Sequence, residues 1–122
     1  MLAPACGRSP FIDWDIAAPG ARIHDVAHVC WQYVGLGPGI ADATAAGQRM
    51  RLICDAYGLR DTGRLVDTVL WWQDRCWRGI LAKAEGGDPA MIGLRDSGAA
   101  DSVRREFDWV ARHRDELAAP LR

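Results

Sequence analysis

The chain has 122 residues, enough for one domain and too few for two. Hydrophobic residues make up 49% and charged residues 25%, the composition of a folded globular protein rather than a disordered one. With 15 Lys and Arg against 16 Asp and Glu, the formal net charge is -1, which argues against a dedicated nucleic-acid binder with its basic excess. No apolar run approaches the ~20 residues of a membrane span, and the start lacks the basic-then-apolar pattern of a secretory leader. A cytoplasmic protein without a membrane or nucleic-acid partner is expected.

In chain order, residues 1–10 carry Pro4, Gly7 and Pro10 with little periodicity and read as an extended leader; residues 11–122 read as the folded part. Phe11-Ile12 leads into Asp13-Trp14-Asp15 and the turn signal Pro19-Gly20, a short extended stub. From about Ala21 to Val34 the positions Ile23, Val26, Ala27, Cys30, Trp31 and Val34 recur at three and four residues, predicting a helix that Gly35 to Gly39 breaks. Asp42 to Thr44 supplies N-cap chemistry for a second helix, with Met50, Ile53, Cys54 and Tyr57 facing inward and Gly58 stopping it.

A third helix is predicted from about Thr62 to Glu85. Its stripe Leu65, Val69, Trp72, Cys76 and Ile80 has a neighbour in Val66, Leu70, Trp77 and Leu81, a face wide enough for more than one packing partner. Asp88 and Pro89 restart a short helix as cap and first residue. A last helix spans about Ala99 to Leu117, with Val103, Phe107, Val110 and Leu117 inward. The fold class is therefore all-α, four to five helices behind a short extended N-terminal stub.

Cys6, Cys30, Cys54 and Cys76 include no close pair of the zinc-ribbon kind, and the last three read as small buried hydrophobes. Six tryptophans are many for so short a chain, and a small domain is expected to leave part of that surface for a partner. His24 and His28, four apart, share one helix face as in a zinc-binding H-E-x-x-H helix, but Asp25 stands where that motif has Glu. Partly exposed histidines are the plainer reading, with His113 or a cysteine needed as a third ligand for the metal one. Asp13 and Asp15, on one side of an extended stub, suit a hard divalent cation such as Mg²⁺.

The segment Phe11-Ile12-Asp13-Trp14-Asp15, continuing through Pro19-Gly20-Ala21-Arg22 to Asp25, resembles the metal-binding region of the aminoglycoside phosphotransferase and choline-kinase-like family. Arg51 to Leu59 is similar to the helix that comes next in bacterial members, and Gly87-Asp88-Pro89 and Trp109 to Arg114 are similar to the family's tail, so the resemblance covers roughly residues 11–118. It implies the helical subdomain of a kinase-like C-terminal lobe. By the same resemblance Asp13 is the acid that ligates Mg²⁺ at the nucleotide phosphates, Asp15 a second acid nearby, and Asp25 a structural brace.

The family's catalytic loop, His-Gly-Asp followed five residues later by Asn, has no counterpart among the ten residues before Phe11, and no phosphate-binding lobe is present. The expectation is thus a truncated phosphotransferase-like domain, not catalytic alone, with no catalytic or cofactor-binding residue assigned. It would act as a scaffold or as one part of a split kinase, binding Mg²⁺ at Asp13 and Asp15 when complemented. Its expected partner is a second copy of itself or a kinase-like chain. The alternative is an amino-sugar or amino-alcohol binding remnant, with acids such as Asp55, Asp67 and Asp74 meeting a cationic ligand.

Overall fold

The computed structural model describes residues 22–122, and every regular element among them is helical. Helix α1 (Arg22–Val29) runs directly into a π-helical segment (Cys30–Gly35), followed by α2 (Ala43–Tyr57), α3 (Leu65–Glu85), α4 (Pro89–Asp96), α5 (Ala99–Arg112) and α6 (Arg114–Ala118), with a closing 3-10 turn (Ala119–Leu121). The all-α class is as expected. The extended leader and the stub with Asp13 and Asp15 lie outside the described residues.

The predicted stops and starts act as their chemistry requires. The Asp42 carboxylate accepts from the Ala45 amide at 3.1 Å and so caps α2. Gly58 ends the same helix at φ 69°, a left-handed conformation that costs a side-chain-bearing residue roughly 1–2 kcal/mol. Asp88 accepts from the amides of Ala90 and Met91, with Pro89 in the first turn of α4.

Three boundaries differ. The predicted first helix widens after Val29 into the π segment, closed by the Leu36 amide reaching back five residues to the Trp31 carbonyl at 3.3 Å. Helix α3 starts at Leu65, not Thr62, because Thr62 is buried in the connecting loop with its hydroxyl donating to the Leu121 carbonyl. The last helix is two, broken at His113, whose ring stacks on Trp109 with Nδ1 2.8 Å from the Trp109 carbonyl.

Helix α3 is the hub, packing against α1, α4, α5 and α6, while α2 lies against α6 and the closing turn. The core joins Val26, Cys30 and Trp31 to Met50 and Cys54 of α2, Leu65, Val69 and Ile80 of α3, and Val110 and Leu117 near the C-terminus. Cys30, Cys54 and Cys76 are all buried in it, the first two as free thiols, whereas Cys76, expected as a buried thiol, is disulfide-bonded. Burial holds the Cys30 thiol up at about 12 and raises Cys54 as well, so neither is a nucleophile at neutral pH. On α3 the predicted stripe holds at Leu65, Val69, Cys76 and Ile80 and differs at one place: Gln73 is wholly buried and Trp72 only half-buried. Tyr57, expected inside, is exposed. No described helix is long and apolar enough to cross a membrane.

Candidate functional site

An open groove of about 680 Å³ lies where α1, the loop after α2 and the first half of α3 converge. Arg22, Ile23 and His24 line it from α1, Leu59, Asp61 and Arg64 from the loop, and Asp67, Thr68 and Trp71 from α3. Local geometry sets these positions. The Arg22 guanidinium donates to the Tyr57 carbonyl at 2.5 Å, which ties the start of α1 to the end of α2. The left-handed turn at Gly58 then sends the chain back past Arg22, and the buried Thr62 anchors the loop from below.

An aromatic cluster backs the groove. Trp71 and Trp72 meet edge to face at 4.8 Å between ring centroids, and both meet His24 at 5.7 Å. His28 follows at 4.6 Å from Trp72 and 6.1 Å from Trp31. Trp31 in turn donates through Nε1 to the Glu106 carboxylate at 2.8 Å. Of the five tryptophans in the described residues, Trp31 and Trp109 are buried and Trp72 and Trp77 half-buried. Trp71 is the most exposed, at 46%, and it faces the groove. The surplus of tryptophan surface is thus local.

The histidine pair behaves as packing. His24 Nδ1 accepts from Trp72 Nε1 at 2.9 Å, so that nitrogen is engaged and the ring proton sits on Nε2. Burial, and to a lesser extent the neighbouring His24, pull the His28 imidazole down to about 4, so it is neutral at physiological pH. His113, the proposed third ligand, belongs to the Trp109 stack. Among the described residues no group of three His, Cys, Asp or Glu is placed to hold a metal ion. Asp13 and Asp15, the predicted Mg²⁺ acids, are outside the described residues.

The three acids suggested for a cationic ligand each have an arginine partner. Asp55 pairs with Arg51 at 3.3 Å, Asp74 with Arg78 at 2.7 Å, and Asp67 with Arg114 across from α3 to α6. Only Asp67 reaches the groove. The residues that sequence reasoning missed there are Arg22, Arg64 and Trp71. The first two come together only through helix packing, which no local spacing encodes. Trp71 did carry a signal, being an aromatic just off the predicted buried stripe.

The described residues form an all-α domain with an open groove backed by aromatic rings. No protein-family model, curated protein or solved structure matches the chain. The phosphotransferase resemblance therefore rests on the sequence motifs alone.

Proposed function

We propose that this chain is a non-catalytic helical scaffold, a phosphotransferase-like tail that docks on a partner polypeptide, either a kinase-like chain or a second copy of itself, in the cytoplasm. The observation that supports this most is the groove. A large apolar aromatic, Trp71, stands 46% exposed outside a core whose buried members are closed to a few per cent. Leaving such surface wet costs about 25 cal/mol per Å², which contact with a partner recovers. In this reading Asp13 and Asp15 bind Mg²⁺ only when a partner supplies a catalytic loop and a nucleotide-binding lobe.

A second reading, an amino-sugar or amino-alcohol binding remnant, draws on Asp61 beside Trp71 in the groove, since cations favour aromatic faces. The arginine partners of Asp55, Asp67 and Asp74 put it behind the scaffold reading.

The purified chain is assayed for ATP turnover with Mg²⁺ and an amino sugar or amino alcohol as acceptor, while light scattering follows its mass across the micromolar range. No turnover and concentration-dependent association are expected. Phosphorylation of an acceptor by the chain alone would overturn the scaffold reading, and a melting shift by such compounds without turnover would favour the binding remnant.

A further inference from the structure

Building on the docking reading, we infer that the groove between α1, the 58–64 loop and α3 receives a short acidic segment bearing an aromatic residue, presented by a partner polypeptide. Charge carries the argument. The Asp67 carboxylate at the groove is already committed to Arg114. That leaves Arg22 and Arg64, neither with a carboxylate partner among the described residues, opposite Asp61 as the uncompensated acid.

Arg75 reinforces the positive side, with its guanidinium 4.5 Å from the Trp71 ring centroid. Two guanidiniums at one mouth suit carboxylates, which they can bind through paired charge-assisted hydrogen bonds. Arg22 is held in place by its bond to the Tyr57 carbonyl, so less freedom is lost when it binds.

Shape and polarity specify the rest of the occupant. Ile23 and Leu59 supply apolar wall, and Trp71 offers an exposed indole against which a second aromatic packs. The volume of about 680 Å³ is that of a site for a few side chains rather than a whole helix face. A peptide alternating carboxylates with an aromatic satisfies both the arginines and the apolar wall. A nucleic acid would also reach the arginines through its phosphates and Trp71 through a base, but a chain of formal net charge -1 offers no basic excess to hold its backbone.

The test uses the full chain and a fluorescein-labelled peptide, Glu-Asp-Trp-Glu-Asp-Phe, followed by fluorescence anisotropy. Saturable binding in the micromolar range is expected, weakening with added salt. Arg64→Glu and Trp71→Ala, both at exposed positions, should each weaken it about tenfold or more, equivalent to about 1.4 kcal/mol. Circular dichroism confirms that the variants stay folded. The Gln/Asn version of the peptide should bind as weakly as the wild-type peptide binds Arg64→Glu.

No saturation at millimolar peptide overturns the inference. Equal binding of the Gln/Asn peptide, indifference to Arg64→Glu, or preference for a single-stranded oligonucleotide overturns it too. The outcome is separable from the scaffold reading. Peptide binding by a chain that proves to phosphorylate an acceptor keeps this site and removes that reading; failure of the peptide on an inactive, self-associating chain does the reverse.

Discussion

Gln73 is the most informative single position in the core. It lies on α3 with no exposed surface, and among the described residues neither its amide oxygen nor its amide nitrogen has a hydrogen-bond partner. Burying an unsatisfied polar group costs roughly 1–3 kcal/mol by protein mutational measurements. Methionine has nearly the length and volume of glutamine, similar helix propensity, and no such penalty. Gln73→Met is therefore expected to raise stability by about 1–3 kcal/mol. At roughly 4–8 °C per kcal/mol for a domain near 100 residues, that is a readily measured rise in melting temperature. Urea denaturation should show a higher midpoint at an unchanged m-value, because the surface exposed on unfolding hardly changes. Gln73→Glu, which places a charge in the same site, should lower stability sharply. A loss of more than about 1 kcal/mol in Gln73→Met would refute the reasoning, since it would mean that the amide is satisfied in the folded protein.

The contacts carry further expectations. A Cβ on Gly47 would sit 2.5 Å from the Leu117 carbonyl oxygen and 3.1 Å from Pro120, so Gly47→Ala should cost about 1–3 kcal/mol in chemical denaturation despite alanine's better helix propensity; unchanged or increased stability would mean that α6 slides away from α2 freely. Asp42→Ala removes the cap of α2 and should cost about 1 kcal/mol, with Asp42→Asn retaining most of it. Burial raises the Glu106 carboxyl, with the Trp31 hydrogen bond and Arg105 offsetting part of that, so its contribution is full below the ordinary value of 4.5 and is lost as pH rises through the folded value. Glu106→Gln keeps an acceptor for Trp31 and should remove that loss from the pH dependence of the melting temperature. His28 acts in the opposite sense: with its pKa lowered from 6.5 to about 4, its contribution is present above 6.5 and lost as pH falls toward 4. NMR titration of the imidazole should give a midpoint near 4, and a midpoint near 6.5 would show that the ring is solvated.

The features legible in the sequence and those hidden from it divide along a physical line. Caps and stops are local events, decided by one side chain and the backbone beside it, so Asp42, Gly58, Asp88 and Pro89 announced themselves. Periodicity likewise found the buried positions Val26, Cys30, Met50, Leu65 and Val69. It failed where a polar residue occupies an apolar position. Gln73 sits four residues after Val69, the position at which helical spacing places a core side chain, yet residue type alone moved the stripe to Trp72. It failed again at His113, where a ring stacked on Trp109 coincides with the break in a stretch whose apolar spacing continues to Leu117.

The groove was the least legible feature because it forms only where the start of α1 packs against the loop after α2 and the first half of α3. The bond from Arg22 to the Tyr57 carbonyl spans 35 residues and that from Trp72 to His24 spans 48. A sequence pattern can show that His24 and His28 share a helix face, and there a metal was the natural question to ask. Only packing could answer that the face looks onto Trp72, which donates its indole proton to His24. The same packing turns the two histidines from candidate ligands into the back wall of a site whose chemistry comes from two arginines and a tryptophan. Substituting Trp72 by Phe tests that wall directly: it removes the donor and keeps the ring, so the groove should persist while His24 loses its partner. If the melting temperature were unchanged and the His24 imidazole resonances did not move in NMR spectra, the hydrogen bond would not be what holds that ring in place.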